Sequence, residues 1–249
     1  VRHNETNLID PAFTRGSLAL AEQNFILEQF GGPVICVLGK INDGKEATVY
    51  ACEGVAGEQL AAKIYRARKF RAFRNERQYA ASRAVRDRRL AKAMQQRSRK
   101  GNTDGQRLWV ENEWRILNEL KAAGVSVPTP VAHSSAGILM ELIGEWQRPA
   151  PRLIEANLER AELTIAQRAL VMDVERMLSV GIVHGDLSPY NVLWHAARPR
   201  IIDLPQAVAI DTPDAMVYLQ RDLGNLARYF ERGGVGSEAL FELLSRIRW

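Results

Sequence analysis

Long apolar runs are what this 249-residue chain most clearly lacks. None approaches the ~18 consecutive apolar residues that a membrane-crossing helix needs, so no membrane contact is expected. The N-terminal residues contain no hydrophobic signal core, which argues against secretion and for a cytoplasmic location. Only two cysteines occur, Cys36 and Cys52. They have no metal-ligand spacing, so both are expected to be buried thiols in a reducing compartment. His133 and His195 have no partner spacing for zinc and read as strand or surface residues. Neither a Walker loop nor a dinucleotide fingerprint is present, and no internal repeat is visible.

What is present can build a full core, since 46% of the residues are hydrophobic. The length fits one large domain or two lobes. The formal net charge of +5 is unevenly spread. Residues 66–107 hold 15 Lys/Arg against 3 Asp/Glu, a local +12 that leaves −7 for the remainder. A mildly acidic body with one basic segment points to a local device, not to general nucleic-acid binding. The segment reads as a solvated, partly helical insert with a loop at Gly101-Asn102-Thr103-Asp104-Gly105 and hydroxyls at Ser82, Ser98 and Thr103. Such charge attracts phosphate-rich partners, RNA or a ribosome among them. Aromatic interleaving is limited to Phe70, Phe73 and Tyr79, too little for a base-reading surface.

Apolar spacing predicts a helix over residues 16–30, stopped by Gly31-Gly32-Pro33. Short strands follow at Val34–Lys40, Ala47–Cys52 and Leu60–Tyr65, with turn residues Asn42-Asp43-Gly44 and Gly54/Gly57 between them. A helix is predicted over 109–123, and strands at Val131–His133 and Gly137–Leu142. Helices then dominate, near 164–180, 213–231 and 237–248. Strands before helices give an α+β body with a β-rich N-lobe and a reduced helical C-lobe. The expected units are an N-terminal helical extension (1–33), the N-lobe (34–143, with the basic insert 66–108) and the C-lobe (144–249).

The most informative motif is His184-Gly185-Asp186-Leu187-Ser188-Pro189-Tyr190-Asn191, followed twelve residues later by Asp203 at the end of Ile201-Ile202-Asp203. Phosphoryl transfer needs one carboxylate at the incoming hydroxyl, and a second carboxylate with an amide oxygen to hold Mg²⁺ against ATP phosphates. Asp186 fits the first role as catalytic carboxylate. Asn191 and Asp203 fit the metal pair, meeting across a hairpin of Asn191–Trp194 and Arg200–Asp203. His184 reads as a residue that positions this loop, and Asp222 as a candidate to bond its backbone.

Upstream residues supply the nucleotide half. Lys63 sits in the apolar strand Leu60–Tyr65, where a lysine is costly to bury unless paired. Glu113 is its expected partner, with Glu111 as the alternative; a strand lysine tied to a helix glutamate is how kinases hold the α/β-phosphates. Gly44, Lys45, Glu46 and Val49 form a turn that can cover phosphates. Met140, Glu141 and Ile143 lie where a hinge would border and bond adenine.

Together, Gly44-Lys45-Glu46-Ala47-x-Val49-Tyr50, Lys63-Ile64-Tyr65, His184-x-Asp186-Leu187-Ser188-x-Tyr190-Asn191 and Ile202-Asp203-x-x-Gln206 resemble the RIO kinases, an atypical serine protein kinase family. The likeness is closest to the RIO1 type, with a bacterial flavour at Leu204-Pro205, and covers about residues 34–231. It implies a two-lobed protein-kinase-like fold. It implies that ATP and Mg²⁺ (with Mn²⁺ as a substitute) serve Lys63, Asp186, Asn191 and Asp203, with Ser188 joining the ATP-binding set. It also implies protein substrates, the chain itself included, and Asp203 as a phosphate acceptor in an ATPase cycle. Asp203-Leu204-Pro205 replaces the Asp-Phe-Gly of ordinary kinases, no glycine-rich loop occurs, and only 46 residues follow Asp203. These absences leave little room for an ordinary peptide groove. Two other readings stand beside this one: a small-molecule phosphotransferase of the aminoglycoside or choline kinase kind, and a nucleotide-dependent RNA-associated scaffold.

Overall fold

Residues 18–66, 99–145 and 148–246 are described by a computed structural model. Five strands form one antiparallel sheet in the order β1-β2-β3-β5-β4: β1 (Val34–Asp43), β2 (Ala47–Gly54), β3 (Gln59–Tyr65), β4 (Pro130–His133) and β5 (Gly137–Glu141). Side chains alternate across a strand. Leu60 and Ala62 of β3 therefore face one side, and Ala61, Lys63 and Tyr65 the other. Helix α1 (Leu20–Phe30) covers the first face, with Ile26 and Phe30 packed near Val34, Tyr50, Cys52, Leu60 and Leu139. Burying such side chains contributes roughly 1.5–3 kcal/mol each.

Cys52 is fully buried in this layer, but Cys36 is exposed, against expectation. Cys36 lies on the edge strand beside a register irregularity, which turns both Ile35 and Cys36 outward.

Helix α2 (Arg99–Ala122) begins well before the expected residue 109 and runs through Gly101–Gly105, the segment read as a loop. Glycine costs about 1 kcal/mol in a helix. Here tertiary packing overrides local propensity: Val110, Ile116, Leu117 and Leu120 are buried, and Arg107–Glu111 and Arg115–Glu119 pair across single turns. The rest of the basic insert, with Ser82 and Ser98, lies outside the described residues, as do residues 1–17 and Trp249.

The second half is helical. It contains α3 (Arg160–Ser179), α4 (Ala215–Arg232) and α5 (Glu238–Arg246). A capping box between Glu159 and Glu162 starts α3. Leu163, Leu170, Val174 and Met177 of α3 share one core with Leu219, Leu223 and Phe230 of α4 and Leu240 of α5. That core continues into α2, which fastens the two halves together. Two short pairs escaped the sequence reading. β6 (Gly144–Glu145) pairs with β7 (Arg148–Pro149) in the connection between the halves. β8 (Ile182–Val183) pairs with β11 (Val208–Ala209). Between them lies the hairpin of β9 (Val192–His195) and β10 (Arg198–Ile201). Its tip, Ala196-Ala197, has φ of +50° and +55°, the left-handed conformation that Asn-Gly normally supplies.

Candidate active site

A cleft of about 660 Å³ opens between the sheet and the helical half. That size suits a nucleotide-sized ligand. The sheet side supplies Gly44, Lys45, Glu46, Ala47 and Val49 from the β1–β2 hairpin, and Ala61 and Lys63 from β3. Met140, Glu141, Leu142 and Ile143 line the connecting edge, and Asn191, Leu193, Ile202 and Asp203 the opposite side. The Gly44 N–H donates to the Ala47 carbonyl at 3.0 Å, so this turn's glycine offers space more than a free donor.

Strand alternation turns Lys63 into the cleft. Its Nζ lies 2.8 Å from Glu113 Oε1 and 2.8 Å from Asp203 Oδ1. The Lys63 and Glu113 side chains are nearly inaccessible, whereas Asp203 is 49% exposed. Burial works against the Lys63 charge, but the two carboxylates outweigh it and hold the ammonium above its ordinary range. Burial pushes the Glu113 carboxyl up against the opposing pull of Lys63. Lys63 holds Asp203 below the usual carboxylate range. Glu113 projects from the same α2 stripe as Val110, Leu117 and Leu120, one helical repeat carrying both core and charge. Glu111, the alternative partner, pairs instead with Arg107. The Lys63–Asp203 contact was not foreseen. Asp203 stands two residues beyond β10 at φ +66°, uncommon for a non-glycine residue, and no sequence pattern announces that turn.

The segment 184–191 is fastened from three directions. His184 is buried; its Nε2 faces the Ile202 carbonyl at 3.1 Å and its Nδ1 accepts from the Asp186 N–H at 3.3 Å. These partners assign the tautomer with hydrogen on Nε2, and burial lowers the ring's pKa. Asp222 on α4 is 1% exposed and accepts from the Gly185 N–H at 2.8 Å, as anticipated. Burial raises its carboxyl to about 7. Arg221 bonds the Gly185 carbonyl, and Asn225 donates to the Leu187 carbonyl at 3.2 Å. Sequence reading missed Arg221 and Asn225; with Asp222 they share one turn of α4, a helical-spacing signal that could have found them. Gly185 has φ +78°, and a Cβ there would stand 2.4 Å from the Gln206 carbonyl oxygen.

Asp186 is exposed and does not line the cleft itself; it joins the site through Asn191. Asn191 Nδ2 donates to the Asp186 carbonyl at 2.8 Å and lies 3.3 Å from Asp186 Oδ2. Ser188 also lies off the cleft lining; its carbonyl accepts from the Asn191 N–H at 2.9 Å in the turn Pro189–Asn191. Arg152, which also lines the cleft, was not singled out from sequence. Among the described residues no group of three or more His, Cys, Asp or Glu could hold a resident metal.

Comparison with known proteins gives the family and the fold. The RIO1 family model, described as the RIO domain, matches residues 48–242. The RIO-type serine/threonine-protein kinase Rio1 of Haloferax volcanii is 33% identical over 245 residues, covering 97% of this chain and 77% of that protein. Human serine/threonine-protein kinase RIO1 is 30% identical over 222 residues, covering 87% of this chain but 37% of its own length. Among solved structures, the Rio2 kinase–ADP/Mg²⁺–phosphoaspartate complex of Chaetomium thermophilum matches with a TM-score of 0.61 at 22% identity, covering 91% of this chain and 66% of that one. The fold is thus the two-lobed, kinase-like α+β fold, with a β-rich N-lobe and a reduced helical C-lobe. With the family model spanning most of the chain and an archaeal relative matching nearly all of it, the chain belongs to the RIO family.

Proposed function

We propose that the chain is an ATP-dependent, Mg²⁺-dependent atypical serine/threonine protein kinase of the RIO type. The observation that carries this reading is the Lys63 ammonium, held 2.8 Å from both Glu113 and Asp203 in a cleft that also receives Asn191. In this reading Lys63 grips the α/β-phosphates, and Glu113 fixes Lys63. Asp186 is the catalytic carboxylate that receives the acceptor's proton; its exposure suits a group that meets a second substrate. Val49, Ala61 and Met140 border the adenine. The Glu141 and Leu142 amides already donate to Thr129 (2.8 Å) and Gln59 (3.1 Å), which leaves the Ile143 N–H as the donor toward the base. Gly44, Lys45 and Glu46 cover the phosphates. Ser188 acts by shaping the turn that carries Asn191.

Asn191 and Asp203 offer oxygen donors, the set that suits Mg²⁺, which takes one or two protein ligands and completes its shell with phosphates and water. Mn²⁺ suits the same donors. The bound ion would neutralise charge on the phosphates. A second reading makes Asp203 itself the phosphoryl acceptor in an ATPase cycle. The half-exposed Asp203 carboxylate supports it, as does the phosphoaspartate of the Chaetomium relative.

The reading takes 1–33 as an extension, 34–143 as the N-lobe and 144–249 as the C-lobe. Its partners are ATP and a protein substrate, the chain included. Contact with RNA or the ribosome through 66–108 rests on charge alone. A cytoplasmic setting belongs to the same reading; among the described residues no helix is long and apolar enough to cross a membrane. The test is transfer of radiolabelled γ-phosphate to the chain and to a generic protein substrate. Labelled serine is expected. Saturable labelling of an aminoglycoside or amino alcohol, with no labelled protein, would reverse the assignment.

A further inference from the structure

The cleft has a charge imbalance that the four motif residues do not resolve. Lys63 is matched by Glu113 and Asp203, and Asp186 adds a third carboxylate nearby. Over its whole lining the cleft sets four cations, Lys45, Lys63, Arg148 and Arg152, against five carboxylates, Glu46, Glu113, Glu141, Glu155 and Asp203, so it is negative before an anionic nucleotide arrives. Lys45 and Arg148 line the cleft but are engaged in other interactions. Among the described residues, Arg152 is the cleft-lining cation whose guanidinium has neither an ion pair nor a hydrogen bond. It is not there by accident of a loose loop. Arg152 forms a bridge with Leu193, Leu153 N–H donates to the Val192 carbonyl at 2.7 Å, and Trp194 N–H donates to the Pro151 carbonyl at 2.9 Å. The segment 151–153 is thereby laid along β9, the strand that leads directly out of Asn191. The Arg152 backbone N–H is fixed by Glu155 Oε2 at 3.1 Å.

We propose that Arg152 is a binding residue that grips the phosphate chain of the bound nucleotide from the segment laid along β9, in the same cleft that Lys63 lines from the sheet. The inference rests on the ATP reading of this cleft. A guanidinium fork carried on a pinned backbone segment matches phosphate oxygens better than a point charge. Phosphate recognition, not base recognition, is therefore what Arg152 supplies.

Calorimetry of wild type, Arg152→Gln and Arg152→Lys with Mg²⁺·ATP, Mg²⁺·ADP and adenosine separates the possibilities. Gln keeps most of the side-chain stem while removing the charge. ATP and ADP should bind Arg152→Gln about 10-fold or more weakly, the scale of a lost charge-assisted bond. Adenosine affinity should be unchanged, and Arg152→Lys should recover part of the loss. Equal ATP affinity in wild type and Arg152→Gln would overturn the proposal, as would a matching loss for adenosine, which marks a structural role. If wild type binds no ATP, the nucleotide reading itself falls and the Arg152 assignment with it.

Discussion

Replacing Asp222 by Asn should abolish a specific pH dependence of stability. Asp222 is 1% exposed, and burial raises its carboxyl from 3.8 to about 7. The folded chain therefore keeps a proton that the unfolded chain releases between those values. Stability from this group is greatest below the unfolded value, falls as pH rises through the interval and levels off above about 7. Three pH units at about 1.36 kcal/mol each make the whole effect about 4 kcal/mol, of which about 3 kcal/mol falls between pH 5 and 8. That is a large share of a typical folding free energy of about 5–15 kcal/mol. Asn retains a carbonyl for the Gly185 N–H, now bonded at 2.8 Å, but cannot ionise. Its amide hydrogens meet the side of Asp222 where Oδ1 has no hydrogen-bond partner and Arg221 stands 3.9 Å away. That adds an offset independent of pH. The quantity to read is thus the slope. Urea unfolding of both proteins across pH 5–8 should show wild type losing about 3 kcal/mol relative to Asp222→Asn. Glu113 and Asp173, also raised by burial, and His184, lowered by it, contribute equally to both proteins and cancel in the difference. Parallel pH profiles would refute the reasoning and mean that Asp222 stays ionised in the fold.

Three further outcomes are expected. Lys63→Met and Glu113→Gln should each lower kcat/KM for ATP, and the double variant should fall short of their summed effects by about 0.5–3 kcal/mol, since contacting members of one network are not additive; strict additivity would uncouple the pair. Asp203→Ala should remove the strengthening of ATP binding by Mg²⁺, read by calorimetry with and without the ion; an unchanged metal dependence would reassign the ligand. Ala196→Asn combined with Ala197→Gly should stabilise the hairpin by about 1 kcal/mol, because both alanines sit at positive φ, where Asn and Gly are at ease; an unchanged or lower Tm would count against that strain.

The parts legible in the sequence were those with dense local signals. Lys63 announced itself as a charge inside an apolar strand, and Glu113 as a charge on an apolar helix stripe. The spacing of Asp186, Asn191 and Asp203 implied the hairpin that β9 and β10 form. Glu113 was ranked above Glu111 because the two lie on different helix faces, and the helix register agrees, turning Glu111 to Arg107 and Glu113 to Lys63. The two-residue pairs β6–β7 and β8–β11 are too short to carry periodicity. The long start of α2 was masked by Gly101 and Gly105, whose low propensity gives no hint of the packing further along the helix. Cys36 was expected to be buried as a thiol without metal-ligand spacing, and a register irregularity on its edge strand exposes it. Arg152 resembles an ordinary surface arginine until the chain is folded, because its segment meets β9 about forty residues away in sequence, whereas Arg221 and Asn225 were findable from their helical spacing to Asp222.

The most direct test of the central claim is Asp186→Asn, assayed in parallel for γ-phosphate turnover and for Mg²⁺·ATP affinity. Asp186 is exposed beside the cleft and 3.3 Å from Asn191 Nδ2, and the proposed function assigns its carboxylate to the acceptor and not to the nucleotide. Turnover should fall by at least ~10²-fold, the scale of losing a positioned acid–base group, while ATP affinity stays near wild type. Turnover that survives while ATP binding collapses would make Asp186 a nucleotide-binding residue and contradict the phosphotransfer mechanism.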